Sequence, residues 1–286
     1  MTDDAPGKGR RIGSFEVVRT FAGHCAVLDH ETREVMHPVV GPVRESEQLY
    51  VGPSRLVQRL RDARTPGPLV LLDVGLGAGS NALAAIRARL SLGAESCPLQ
   101  IISFDRTADA LRLALAPEHA IDFGITPALH TLATALLRDG GVEVPELTWR
   151  LVLGELPGTL AGLADGVADI AYWDPFSPRQ NPALWGLGAF SALRRVCRPG
   201  ATVHTYSGAT AVRSALLLAG FFVGLGEPLG ANKRATVAAT ERAALAEPLT
   251  TRFVERLGRS SAALPGDAPD NALQCIAAHP QLALHG

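Results

Sequence analysis

The sequence has no surplus of either charge: 27 Lys and Arg stand against 28 Asp and Glu, a formal net charge of -1 over 286 residues. A simple nucleic-acid module draws its affinity from counterion release by a basic excess, so at most a local basic face is expected. Hydrophobic residues reach 47% and charged residues only 19%, a balance that excludes an intrinsically disordered chain. No stretch attains the roughly 18 apolar residues of a membrane span. The opening MTDDAPGKGRR has no apolar run behind its charges, so no signal peptide is read there. Cysteine is sparse, and Cys25, Cys97, Cys197 and Cys275 include no pair at metal or redox spacing. These absences predict a soluble, cytoplasmic protein with free thiols. The eight histidines show no ligand spacing such as HxxxH, and no metal site is expected. The serine elbow G-x-S-x-G is also missing around Ser207, which argues against a hydrolase.

What is present is an alternation of short apolar runs with helix-like stretches. Residues 1–12 are polar and Gly-rich and read as a flexible N-terminus. Residues 13–66 hold two β-like runs, SFEVVRT and HCAVLDH, then a helical pattern through Leu49, Leu56, Val57 and Leu60. The break TPGP at 65–68 closes this extension. From 67 to 240 the runs LVLLDV, LQIISFD, TWRLVLGE, ADIAYWD and ATVHTYS read as parallel strands with helices between them. FFVGLGEPLG and KRATVAAT read as a closing antiparallel pair, with Pro228 and Gly230 in the connection. The expectation is a mostly parallel, seven-stranded α/β sheet with a small N-terminal β/helical extension. Residues 241–286 are Ala-rich and are expected to form a helix and a loose tail. In such sheets ligands bind beyond the carboxyl ends of the strands, where the strand order reverses.

Three places at those strand ends carry chemistry. The first is Asp73-Val74-Gly75-Leu76-Gly77-Ala78-Gly79-Ser80-Asn81, a strand-to-helix turn whose glycines permit close backbone approach. It is either a tight turn or a nucleoside loop. A dinucleotide site would want G-x-G-x-x-G with a pyrophosphate at the helix N-terminus, but Asn81 stands after Ser80. S-adenosylmethionine has no phosphate and suits this loop, with Asp73 near its ammonium. The second is Asp105, whose two oxygens match two ribose hydroxyls; Glu155, after the third strand, is placed for an adenine amino group. The alternative for Asp105 is an ordinary strand-end Asp, and for Glu155 a solvated loop acid. The third is the run Asp174-Pro175-Phe176-Ser177-Pro178-Arg179-Gln180-Asn181-Pro182-Ala183-Leu184-Trp185. Its prolines restrict the loop, and Asp174 is placed to orient an amine toward a methyl donor, an effect of positioning. Phe176 and Trp185 read equally as core or as platform, Asn181 as a helix cap, and His204 as a strand histidine with its needs met.

LLDVGLGAGSNALAA, IISFD and above all AYWDPFSPRQNPALWGLGAFSALRRVCRPGATVHTYSGATAVRSALLLAGF resemble the methyltransferase part of the tRNA 5-methylaminomethyl-2-thiouridine biosynthesis (MnmC-like) family. GEPLGANKRATVAAT resembles the family's ending, and HPVVGPVRESEQLYV at 37–51 resembles more loosely the segment before the glycine loop. The resemblance covers residues 69–240. It implies a Rossmann-like class I methyltransferase fold, S-adenosylmethionine as donor, and methylation of an aminomethyl group on the wobble uridine of tRNA. It implies that Gly75, Gly77 and Asn81 line the methionine end, with Asp73 and Gly79 in the same loop, and that Asp105 holds the ribose. Asp174, Pro175 and Phe176 would border the methyl and the amine, and Glu45 and Glu47 would lie near the mouth. Arg179, Arg194, Arg195, Arg198, Lys233 and Arg234 are the basic residues a tRNA contact would draw on. No residues match the flavin-oxidase domain of fused members, so that second activity is not expected. A methyltransferase for a small amine or natural product, a non-catalytic S-adenosylmethionine-binding protein and a nicotinamide oxidoreductase are the alternatives.

Overall fold

The computed structural model describes residues 10–37, 40–62, 67–229, 233–260 and 262–283. Residues 1–9 of the expected flexible N-terminus, part of the TPGP break and Gly230 lie outside the described residues.

The N-terminal section forms an antiparallel sheet of β1 (Arg11–Ile12), β2 (Phe15–Arg19), β3 (Cys25–Asp29) and β4 (Glu34–Val35). It is followed by α1 (Pro42–Ser46), a π-helical turn (Glu47–Val51) and α2 (Leu56–Arg61). The two runs expected at 14–36 are β2 and β3, and the two short strands beside them extend the sheet.

The strand–helix alternation builds one large sheet. Its members are β5 (Leu69–Val74), β6 (Leu99–Asp105), β7 (Gly141–Val144), β8 (Leu147–Leu153), β9 (Ala168–Trp173), β10 (Cys197–Thr205), β11 (Phe222–Pro228) and β12 (Arg234–Ala239). The order is β11-β12-β10-β9-β5-β6-β8-β7, with β10, β9, β5, β6 and β8 parallel and the other pairings antiparallel. The expected seven strands therefore become eight. The addition is β7, a hairpin partner of β8 with Val144 opposite Leu147. Four residues opened by two glycines and closed by Pro145 carry too little periodicity to read as a strand.

All six residues of LVLLDV are buried, as a central parallel strand covered on both faces requires. Side chains alternate between two cores. Ile101, Ile170, Tyr172 and Trp149 face α3 (Ser80–Leu90), α4 (Asp109–Ala114) and α5 (Pro127–Asp139) with the N-terminal extension; Ile102, Phe104, Ala171 and Trp173 face α6 (Leu187–Val196) and α7 (Thr210–Leu218). α5 shows how locally such helices are specified. The Thr126 hydroxyl accepts from Leu129 N, Pro127 occupies the first turn, and Gly140 closes the helix at φ 73°.

The segment after 240 is not a loose tail. α8 (Thr251–Leu257), α9 (Ala272–Ala277) and α10 (Pro280–Ala283) place Phe253, Leu257, Ile276 and Leu282 in the second core. Gln281 is fully buried: its Oε1 accepts from Val223 N at 2.7 Å, and its Nε2 donates to the carbonyls of Val223 at 2.6 Å and Leu249 at 2.9 Å. The side chain thus clasps edge strand β11.

Candidate active site

The chain leaves β5 toward β6 and β8 on one side and returns to β9 and β10 on the other, so strand order reverses between β5 and β9. The turn after β5 and the loop after β9 meet there. Asp174 N donates to Val74 O at 2.8 Å. A Cβ on Gly75, which has φ 89°, would stand 2.5 Å from Asp174 O, so only glycine fits. Gly77 lies under Met36, whose sulfur is 3.1 Å from where a Cβ would be, and Gly79 at φ 83° opens α3.

Around this turn the acids are held by different means. Gly77 N donates to Asp105 Oδ2 at 2.9 Å, and Arg106 N donates to Oδ1 at 2.7 Å. Burial raises the Asp105 pKa against these three-way backbone donations, to which Thr107 N contributes. Asp73 is buried under the loop; Ser103 Oγ donates to its Oδ2 at 2.7 Å, and Trp149 Nε1 donates to that hydroxyl at 2.9 Å. Burial pushes Asp73 to about 7, with Ser103 opposing and the charges of Asp174 and Asp105 adding to the rise. Asn81 Nδ2 donates to Asp174 Oδ2 at 2.7 Å. Burial likewise lifts Asp174 to about 6, against the His37 charge, the nearby Tyr50 phenol and the Asn81 donor.

The loop after β9 is fastened at successive residues. Tyr206 Oη donates to Pro175 O at 3.1 Å and Trp185 Nε1 to Phe176 O at 2.8 Å. Ser177 N donates to Glu34 Oε2 at 2.9 Å, and Ser177 Oγ donates to Glu34 Oε1. Trp185 is buried and stacks edge-on with Tyr206, so it is core; Phe176 is half-buried against the first core. Asn181 precedes a 3-10 turn but makes no side-chain cap.

The remaining residues expected at the site divide. Glu45 is nearly covered, with Oε1 3.3 Å from His37 Nδ1. Glu47 turns to Arg87 at 3.7 Å and is half-exposed. Glu155 is exposed beyond β8. The six basic residues do not form one patch. Arg194 lies over the Phe221 ring. Arg195 donates to Leu160 O and Leu163 O and pairs with Asp165; Arg198 donates to Val167 O and pairs with Asp169, at the amino end of β9. Arg234 pairs with Glu247 at 2.6 Å and donates to Gly226 O. Only Arg179 and Lys233 of the six are exposed. His204 is buried, receives or gives a bond with Thr202 at 3.1 Å, and is driven down to about 3 by burial, hence neutral.

Sequence reasoning missed Glu34, Met36, His37, Tyr50 and Tyr206. His37 and Tyr50 fall within the 37–51 stretch singled out for its family likeness; nothing in local pattern marks Glu34 or Met36.

Three buried oxygens around the turn, Asp73 Oδ1, Asn81 Oδ1 and the Tyr50 hydroxyl, have no hydrogen-bond partner among the described residues. The first two are acceptors beside a glycine turn, and an alkylammonium is the donor they lack. With the ribose-matching Asp105 at the neighbouring strand end, the donor set fits the amino-acid and ribose ends of S-adenosylmethionine. Among the described residues no group of three or more His, Cys, Asp or Glu side chains is placed to hold a metal ion, and no helix is long and apolar enough to cross a membrane. A separate cavity of about 710 Å³ lies on the sheet face by Thr202, His204 and Leu225. Of its three arginines, Arg59 and Arg234 are paired with Asp169 and Glu247, while Arg55 donates to Gln58 Oε1.

Residues 130–242 match the model of an S-adenosyl-L-methionine-dependent methyltransferase family. The chain is 32% identical over 216 residues to the tRNA 5-methylaminomethyl-2-thiouridine biosynthesis bifunctional protein MnmC of Ralstonia nicotianae, covering 72% of this chain and 32% of the relative. With MnmC of Cupriavidus necator it shares 30% over 237 residues, 78% of this chain and 35% of the relative. The chain thus spans about a third of the length of these curated relatives. The crystal structure of MNMC2 from Aquifex aeolicus superposes with a TM-score of 0.72 at 24% identity, covering 94% of this chain and 84% of that one. The fold is that of class I S-adenosylmethionine-dependent methyltransferases.

Proposed function

We propose, from the premise that this chain is a relative of the methyltransferase part of the MnmC proteins, that it is an S-adenosylmethionine-dependent N-methyltransferase acting on the aminomethyl group of a modified wobble uridine in tRNA. The observation that carries the reading is Asp174: a carboxylate at the strand-order reversal, fixed by Asn81 and bounded by a loop tied down at Pro175, Phe176 and Ser177. When bound, S-adenosylmethionine supplies an electrophilic methyl group. Asp73 and Asn81 offer the unpartnered oxygens that take its ammonium, Gly75, Gly77 and Gly79 admit its methionine end, Asp105 takes ribose hydroxyls, and Glu155 takes the adenine amino group.

The work of the chain's own residues is placement. Asp174 accepts an N–H of the substrate amine and so turns the nitrogen lone pair toward the methyl group; holding reactants in this way supplies on the order of 7 kcal/mol at best. Pro175 and Phe176 border the amine, and Glu45 lies at the mouth. The core 67–240 carries the donor site, while the N-terminal extension supplies one wall through Glu34, Met36 and His37. Arg179 and Lys233 are the exposed cations available to a phosphate backbone. A cytoplasmic location goes with this substrate.

The test is methyl transfer from labelled S-adenosylmethionine to tRNA lacking this methylation, at low salt. Transfer that falls as salt rises supports the reading. An Asp174→Asn variant that binds the donor yet transfers at the normal rate would sink the role of Asp174. Methylation of small amines with none on tRNA would favour the second reading, a small-amine methyltransferase, which the neutral net charge and the scarcity of free cations near the loop support.

A further inference from the structure

An aminoalkyl substrate reaches the site mostly as a cation, since a lysine-like amine has a pKa near ~10.4. It must lose a proton before it has a lone pair to use. Asp174 already accepts from Asn81 at 2.7 Å and faces the Tyr50 phenol. Tyr50 itself is fully buried, and burial with the neighbouring acids keeps its phenol protonated. Water is also scarce here: the side chains of His37 and Glu45 are 11% and 17% exposed.

Among the described residues, His37 is a basic side chain whose charge acts on both Asp174 and Asp73. His37 follows Met36, whose sulfur packs on Gly77, and its Nδ1 lies 3.3 Å from Glu45 Oε1. Nδ1 is buried without a hydrogen bond, and the Glu45 carboxylate at ion-pair distance favours a proton on that nitrogen, which leaves Nε2 as an acceptor.

We propose that His37, held beside Glu45, is the catalytic base that takes the proton from the substrate amine. The proposal rests on the amine-methylation reading above. In the step, an N–H bond of the ammonium breaks, its electron pair stays on nitrogen as the lone pair, and the proton passes to Nε2. The resulting imidazolium is balanced by Glu45 from α1 and Asp174 from the loop after β9, with Asp73 of β5 behind them and neutral Tyr50 alongside. Burial works to lower the proton affinity of His37, but the Glu45 contact and the charges of Asp174, Glu45 and Asp73 outweigh it, so the affinity is raised.

The experiment pairs kinetics with spectroscopy on the whole chain. Single-turnover methyl transfer is followed from pH 5.5 to 9.5 for the wild type, His37→Gln and His37→Ala, with donor affinity measured by calorimetry. The expected result is a roughly 100-fold slower His37→Gln whose profile loses the wild-type inflection, unchanged donor affinity, and recovery of His37→Ala by added imidazole. Nitrogen-15 NMR of histidine-labelled protein, with the His37 signal identified by its loss in His37→Gln, is expected to show the neutral ring protonated on Nδ1. Glu45→Gln, which leaves His37 in place, is expected to lower its titration point. A wild-type profile retained in His37→Gln, or a neutral ring protonated on Nε2, overturns the proposal. A wild type that methylates no amine overturns the parent reading instead, while the NMR arm still reports on the His37–Glu45 pair.

Discussion

Replacing Asp174 by Asn removes a charge that folding makes costly, and the size of that cost follows from the site. The ordinary carboxyl pKa of 3.8 rises to about 6 in the folded chain, chiefly through burial. Because the folded value lies above the unfolded one, the native state keeps a proton that the unfolded chain has already released. The stability from this group is complete below about pH 4 and is lost as pH climbs through about 6. A rise of about two units, at about 1.4 kcal/mol each, amounts to about 3 kcal/mol. The side chain is partly open to solvent, which trims the figure to about 2 kcal/mol. Asparagine keeps the shape and an oxygen for the donors but cannot ionise. Urea unfolding at pH 8 is therefore expected to show Asp174→Asn more stable by about 2 kcal/mol, with a melting temperature about 5 °C higher, while the two proteins coincide at pH 4. Asp73 is present in both, and relief of its repulsion with Asp174 adds to the gain. Equal stability at pH 8, or the same gain at both pH values, refutes the electrostatic account.

Gly75→Ala places a methyl 2.5 Å from Asp174 O at φ 89°; donor binding measured by calorimetry is expected to fall at least tenfold, with a loss of about 2 kcal/mol of stability from backbone strain and displacement of the loop. Gln281→Ala strips Val223 N and Leu249 O of their buried partner, while Val223 O keeps Leu249 N; a loss of about 2–4 kcal/mol is expected, with hydrogen exchange at Val223 N accelerated first. Arg179→Ala is expected to weaken tRNA binding and to reduce the slope of log affinity against log salt by about 1; an unchanged slope removes Arg179 from the RNA contact.

The sheet was readable because burial on both faces leaves an unbroken apolar run such as LVLLDV, and because glycine turns mark the carboxyl ends of such runs. Asp73, Gly75, Asp105 and Asp174 could be named as strand-end residues on that logic alone, and the structure brings them together around one turn. What stayed hidden depends on distance through space. Glu34 is an unremarked acid in a two-residue strand until it meets Ser177, and Tyr50 looks like any apolar-face aromatic until its phenol faces Asp174. Arg195, Arg198 and Arg234 looked like a basic patch because they stand near the DPFSP loop or the closing pair in sequence. Helix α6, however, carries Arg195 to the far end of the sheet, and Glu247 neutralises Arg234. The Ala-rich ending concealed its role for a different reason: a buried glutamine and the backbone bonds of Glu247 and Leu249, not a periodic pattern, fix it to β11.

Glu34 grips Ser177 across 143 positions of sequence. On the proposed reading, the acceptor's surroundings would be drawn partly from the N-terminal hairpin, which also touches the glycine turn through Met36. Editing that hairpin would then alter which amines are admitted, and grafting residues 11–51 between relatives would be the direct way to move substrate choice from one protein to another.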